Sequence, residues 1–135
     1  MANALYDSGR QKVLEGAIAW LTDTIKAVLV DSGQYTISLA THTSLNDIPA
    51  GARIATSAAL TGKTTTGGVA DANDVTFTGV TGVTSEYVIV YKDSGVATTS
   101  WLICCFDTAT GLPVTPSGGD ITVTWDNGPN KIFKL

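Results

Sequence analysis

Residues 85–106 read SEYVIVYKDSGVATTSWLICCF. Two runs rich in β-branched and aromatic residues flank the turn sequence Lys92-Asp93-Ser94-Gly95, and this pattern predicts a β-hairpin. Neither arm alternates apolar with polar residues, so each predicted strand is apolar on both faces. Such strands are covered on both sides. We expect a second sheet of the same chain to cover one face, and the N-terminal segment or another subunit to cover the other.

The two cysteines, Cys104 and Cys105, are neighbours on the second predicted strand. Strict alternation places Leu102 and Phe106 on the face of Cys104, and Ile103 on the face of Cys105. Thiols that point to opposite faces do not easily form a disulfide, so we interpret them as a reduced pair packed like small apolar residues. A redox or metal role would require a C-x-x-C motif and further ligands, which the sequence lacks.

An amphipathic helix is predicted before the first strand. Ser8 and Gln11 stand at capping-box spacing, and apolar residues recur on one helical face from Val13 to Ile18. The predicted helix covers residues 9–19. Gly16 weakens this prediction, because glycine is a poor helix former.

Further strands are predicted where short β-branched or apolar runs lie between turn sequences, at residues 24–30, 35–39, 53–56, 58–65, 75–80, 121–125 and 131–134. With the hairpin, the count is seven to nine. Antiparallel strands in this number, after one helix, are typical of an all-β fold, a β-sandwich or a jelly roll. No linker-like composition divides the chain, so we predict a single domain over residues 1–135, with residues 1–20 as an N-terminal arm.

Composition argues against several classes of partner. The net charge is −4 and the eight basic residues are scattered, so binding to a nucleic-acid backbone is not expected. No apolar run approaches the ~20 residues that span a bilayer, and the first residues do not resemble a secretory signal. Charged residues make up only 15% of the chain, which indicates a surface partly covered by other proteins. We expect assembly in the cytoplasm, with neither nucleic acid nor membrane as a partner.

Candidate chemical sites are few, and each has a simpler interpretation. His42 is the only histidine, and no activated-serine motif accompanies it. Gly62-Lys63-Thr64 matches the end of a phosphate-binding loop, but the first glycine of that motif is absent. Asp71, Asn73 and Asp74 carry oxygen ligands that suit calcium, but the bidentate glutamate of an EF-hand is missing. We therefore expect no cofactor and no metal.

Two other sets of residues leave an enzyme or a sugar-binding protein open. Glycoside hydrolysis uses paired carboxylates, and the sequence alone does not place Asp23 with Asp31, or Asp120 with Asp126, across a cleft. The low number of carboxylates argues against a glycoside hydrolase. Core packing is favoured over a sugar-stacking surface for the three tryptophans, Trp20, Trp101 and Trp125.

Residues 46–57, NDIPAGARIATS, followed by LTGKT at 60–64, resemble a family of small structural proteins encoded among the head and tail genes of tailed bacteriophages and prophages. The C-terminal sequences GGDITVTWDNG, at 118–128, and KIFKL, at 131–135, are similar as well. The resemblance implies a virion component of the head, neck or tail. It implies no catalytic residue.

The leading hypothesis is therefore a non-enzymatic capsid decoration or cement protein, located in the virion. Its partners would be the major capsid protein or other virion proteins, and further copies of itself. Five residues near the two ends are the candidate partner interface: Leu5, Tyr6, Val13, Phe133 and Leu135. The alternatives are a tail- or neck-associated receptor-binding module that uses the loops at 61–73 and 112–119 and, less favoured, a polysaccharide-cleaving enzyme.

Overall fold

The structure is a computed structural model that describes residues 3–135. Most of its regular structure is strand in antiparallel sheets. The central sheet has five strands in the spatial order β1 (Ala4–Leu5), β7 (Leu102–Phe106), β6 (Tyr87–Lys92), β2 (Ile25–Val30) and β3 (Arg53–Thr56). Two small sheets pair β4 (Val69–Ala70) with β9 (Phe133–Lys134), and β5 (Val75–Phe77) with β8 (Ile121–Val123). The helix α1 (Asp7–Leu14) follows β1.

The predicted hairpin is confirmed, since β6 and β7 pair antiparallel in the middle of the central sheet. The predicted alternation along β7 is wrong at one point. Val90 is opposite Cys104 and Tyr91 is opposite Leu102, which leaves Ile103 without a partner in a β-bulge. The extra residue reverses the alternation, so Ile103 packs on the same face as Cys104, and Leu102 packs with Cys105.

Both faces of the central sheet are buried within the chain. The two small sheets cover the first face, where Phe77 and Val123 pack in one cluster with Leu29 and Val90. The second face is covered mainly by the segment 35–52, through residues such as Ile48. The N-terminal segment contributes the buried side chain of Tyr6, and Ala4 packs against this second cluster. A strand that is apolar on both faces thus needs no second subunit to cover it.

The helix begins two residues before its predicted start and ends five residues before its predicted end. It ends at Leu14 because Gly16 adopts a left-handed backbone with φ of 76°, a common way to terminate a helix. The predicted capping box does not form, because Ser8 is the second residue of the helix and not its N-cap. Its hydroxyl donates to the carbonyl of His42 at 3.2 Å. Leu14, predicted on the apolar face, is 84% exposed.

Two predicted strands do not form. Residues 35–39 cross the second face without pairing as a strand, and Leu39 accepts a single backbone bond from Asp7 at 3.0 Å. Residues 58–65 make isolated contacts, such as the bridge of Thr64 with Asp71. A strand-like composition suits extended backbone, but a strand also needs a continuous neighbour, and these segments have none in the part of the chain that is described.

Candidate functional site

A groove of about 440 Å³ lies between the first and the last strand. We call it the terminal groove. It is lined by residues 3–5, 108–110, 124–126 and 130–134, together with Arg10, Cys104 and Phe106. Its volume is in the range of pockets that hold small ligands, which are about 300 to 1,000 Å³.

One wall of the terminal groove is β1. This strand is placed by its pairing with β7, in which Leu5 is opposite Cys104, and by the bond from the Tyr6 N–H to the Ile103 carbonyl at 2.9 Å. The start of the wall is fixed by the Asn3 side chain, whose oxygen accepts from the Asp107 N–H at 3.0 Å. These contacts hold a two-residue strand at the edge of the sheet.

The other wall is β9 with the residues just before it. Phe133 is opposite Ala70 in the small sheet, and its ring meets Trp20 edge-on at 5.4 Å between centroids. Farther into the groove, Phe106 and Trp125 lie 5.5 Å apart. The groove therefore combines an aromatic floor with walls of strand backbone.

The register shows which backbone groups of the walls are unused by their own sheets. In an antiparallel pair, successive residues turn their N–H and C=O alternately toward and away from the partner strand. Tyr6 turns its N–H toward β7, so the N–H and C=O of Leu5 point to the open edge. In β9, Leu135 donates to the Gly68 carbonyl at 3.1 Å, so Lys134 turns its backbone away from β4.

The charges lining the terminal groove are mostly positive, although the whole chain has a net charge of −4. Lys131 and Lys134 form no salt bridge within residues 3–135, whereas Arg10 lies 3.1 Å from Asp7. The one carboxylate of the lining, Asp126, accepts the Gly128 N–H at 3.1 Å. An acidic ligand would meet two lysines that form no ion pair with a carboxylate of the described residues.

Lys131 also has the only positive φ of a non-glycine residue in the described chain, at 46°. A left-handed backbone costs a side-chain-bearing residue roughly 1 to 2 kcal/mol. Strain of this kind is concentrated at functional positions. The loop thus maintains a lysine at the groove in a conformation that glycine would adopt more easily.

The structure places the five predicted interface residues in three different settings. Leu5 and Phe133 line the terminal groove, and Leu135, 60% exposed, directly follows the lining residue Lys134. Val13 is partly buried against the first core cluster. Tyr6 is fully buried, and its hydroxyl is 2.9 Å from that of Tyr35.

His42 belongs to a hydrogen-bonded chain that includes two tyrosines. Its Nδ1 accepts from the Ser38 N–H at 3.3 Å and is 2.8 Å from the Tyr35 hydroxyl, which contacts Tyr6. The Tyr35 and His42 rings stack with their centroids 5.2 Å apart. Burial raises the pKa of Tyr35 to about 12. This chain of bonds fixes the second face of the core.

In the turn of the candidate calcium ligands, one carboxylate and two backbone carbonyls bond to tryptophans. The Asp74 carboxylate accepts the Trp125 N–H at 3.0 Å, and the Asn73 carbonyl accepts the Trp125 indole N–H at the same distance. The Asp71 carbonyl accepts the Trp20 indole N–H at 3.2 Å. Two buried tryptophans thus fix this turn. Within the described residues, no group of three His, Cys, Asp or Glu side chains could hold a metal ion.

The remaining candidates also have structural partners. The Lys63 ammonium donates to the Asp23 carbonyl at 2.5 Å. The Asp23 carboxylate accepts the Ala19 N–H, and this bond, with the nearby Lys92 ammonium, lowers the pKa of Asp23. In the other carboxylate pair, Asp120 accepts the Gly79 N–H at 2.9 Å.

The two thiols behave as their positions on the strand predict. Cys104 and Cys105 are free, and they lie in different core clusters on opposite faces of the sheet. Burial raises the pKa of Cys105 to about 11, so neither electrostatics nor access favours a reactive thiolate there.

Sequence reasoning did not find Arg10, Trp125 or Lys131 as groove residues. The only signal of the groove in the sequence was the pair Lys131 and Lys134, three residues apart at the last strand. The spacing of two charges does not show which surface they share. Comparison with known proteins adds no assignment: no family model matches the chain, and no curated protein matches it. Within residues 3–135, no helix has both the length and the apolar character needed to cross a membrane.

Proposed function

We propose that this chain is a non-enzymatic structural protein of a bacteriophage virion, a decoration protein that binds a shell built by the major capsid protein. One observation carries the proposal of a binding role. The two ends of the chain, where the interface residues were predicted, form an open groove with an aromatic floor and two lysines that form no salt bridge within residues 3–135. The sequence resemblance supports the virion as the place where this surface is used.

We further propose that the scaffold is an irregular β-sandwich. The central sheet forms one layer, and the two small sheets form the other, since residues of all three share one core cluster. Two layers around one core are the usual solution for antiparallel sheets with an apolar face. This scaffold holds β1 and β9 in place, with their edges open to a partner.

Exposed apolar side chains support contacts with neighbouring subunits. Leu14 is 84% exposed, Leu135 60% and Leu21 54%, and all three lie within or next to the terminal segments of the chain. Single exposed leucines are common on monomers, so each contact would be weak. Simultaneous binding of many copies to a repeating shell raises the effective affinity without stronger individual contacts.

Binding of the purified chain to shells that lack it tests this function. We expect the chain to sediment with empty shells, not to bind bacterial cells in the absence of shells, and to leave polysaccharides intact. Retention on cells without any shell binding would instead support the tail-associated receptor-binding module. Turnover of a polysaccharide would contradict a non-enzymatic role.

A pair of variants locates the binding surface. Leu135→Ser removes an exposed leucine next to the terminal groove, and Val96→Ser removes an apolar side chain of similar exposure, 56%, that does not line it. We expect L135S to weaken shell binding several-fold because avidity multiplies a small loss at each copy. We expect V96S to bind as the unmodified chain does. Equal binding by both variants would exclude Leu135 as part of the contact.

A further inference from the structure

We propose that the terminal groove binds an acidic, extended segment of a partner protein, which adds a strand to the open edge of β1. The proposal deepens the proposed function and rests on it for the identity of the partner as a virion protein. The chemistry of the groove alone determines what kind of segment is bound.

The backbone of β1 gives the first argument. Leu5, and by the same alternation Asn3, turn their N–H and C=O groups away from β7. Strand addition to such an edge gives affinity through main-chain bonds, whatever the sequence of the added segment. Free edges are normally protected by charge, proline or a covering segment. The lining around β1 provides a groove instead of a cover.

The charge of the lining gives the second argument. Lys131 and Lys134 lie on the wall opposite β1 and form no salt bridge within the described residues. The other lysines have partners: Lys26 is 2.8 Å from Asp93, and Lys92 is 3.2 Å from Asp23. A carboxylate on the added strand would form a charge-assisted bond with either free ammonium.

The floor gives the third argument. Side chains alternate between the two sides of an extended segment. The side chains that point into the groove would meet both Phe106 and Trp125 and the two lysines, which all line it. The expected ligand therefore carries acidic and β-branched or aromatic residues close together in sequence. A second copy of this chain is the less suitable occupant, because none of its described strands carries alternating acidic residues.

Titration of the full-length, ¹⁵N-labelled chain with a peptide tests the proposal. The probe is an eight-residue peptide that alternates glutamate with valine or threonine, and the control peptide has lysine in place of each glutamate. We expect saturable shifts at the amides of Leu5 and Lys134, and slower hydrogen exchange at the Leu5 amide. No saturable shift with the acidic peptide, shifts confined to other surfaces, or equal binding of the basic peptide would each overturn the proposal.

Charge variants sharpen the test. The double variant K131Q/K134Q should weaken binding of the acidic peptide at least tenfold. The matched control is the single variant K12Q, which removes a positive charge outside the groove and should leave the affinity within twofold. Equal losses in K12Q and in each single groove variant would show a general charge effect and overturn the groove assignment. Shifts that depend only on protein concentration would identify a second copy as the occupant and overturn the partner assignment.

The outcome separates this inference from the proposed function. If K131Q/K134Q still binds shells while the peptide fails to bind, the groove is not the contact and the decoration role remains. If the peptide binds the groove but the chain does not bind shells, the strand-addition site remains and the decoration role is wrong.

Discussion

Replacing Gly9 by alanine tests how tightly α1 is packed on the central sheet. Gly9 is buried in the helix, and a Cβ at this position would lie 2.7 Å from the Leu102 carbonyl oxygen and 2.8 Å from that of Ile103. Both are backbone atoms of β7, so they cannot rotate away as a flexible side chain would. The helix must shift outward, and it must carry the adjacent strand β1 with it.

The sign of the effect is the informative part. In an exposed helix, glycine to alanine stabilises by up to about 1 kcal/mol. Overpacking against rigid neighbours costs roughly 1 to 3 kcal/mol. With two backbone oxygens closer than 3.0 Å to the new methyl, we expect the steric cost to dominate, so that G9A lowers the free energy of unfolding by about 1 to 2 kcal/mol.

Urea unfolding followed by tryptophan fluorescence measures this change. The matched control is Gly95→Ala, because Gly95 has a left-handed φ of 85° and open space around it. A loss in G95A would arise from backbone strain alone, without a packing clash. Hydrogen exchange should show faster opening of β1 and α1 in G9A only. Unchanged or increased stability of G9A would refute the close packing of α1 on β7.

Three further predictions concern other contacts. Tyr6→Phe removes a fully buried hydroxyl that bonds to Tyr35, and should cost about 1 to 2 kcal/mol in urea unfolding; no loss would show that this bond contributes little. Lys131→Gly relieves the strain of a left-handed backbone, so it should raise the free energy of unfolding by up to about 1 kcal/mol and weaken binding of the acidic peptide. A loss of stability together with the loss of binding would contradict the strain argument. The pKa of Asp23 is lower folded than unfolded, so its stabilising contribution is complete above about pH 3.8, the ordinary value, and is lost as the pH falls through its folded pKa. The Asp23→Asn variant should therefore lose less stability than the unmodified chain between pH 5 and pH 2, which acid titration by circular dichroism measures.

The parts of the fold that local sequence determines were predictable. The hairpin of β6 and β7 has long apolar arms and a strong turn sequence, and it forms as expected. The strand Ile25–Val30 is equally local in its signal. The predictions for these segments were correct because their composition and turn residues favour the same structure.

The errors arise where distant parts of the chain meet. The bulge at Ile103 depends on how β7 pairs with both β1 and β6, which no local pattern encodes. The segment 35–52 covers the second face through Tyr35 and Ile48, although its composition suggested a strand at 35–39. Gly16 ends the helix early because its backbone is left-handed, an outcome that the periodicity of Val13 to Ile18 conceals.

The candidate site shows the same division. Leu5 and Phe133 were predicted as interface residues from their positions near the two ends, and they line one groove. Tyr6 was grouped with them, but the strand alternation turns its side chain into the core. The association of Arg10, Trp125 and Lys131 in the same groove depends on pairing between strands that are far apart in the sequence, β1 with β7 and β9 with β4, and so required a structure.

The number of copies of this chain in purified virions tests the decoration role most directly. Quantitative mass spectrometry against the major capsid protein provides the ratio. We predict a ratio near one, or a simple fraction of one, corresponding to hundreds of copies on each shell. A handful of copies, in threes, sixes or twelves, or none at all, would contradict a decoration protein.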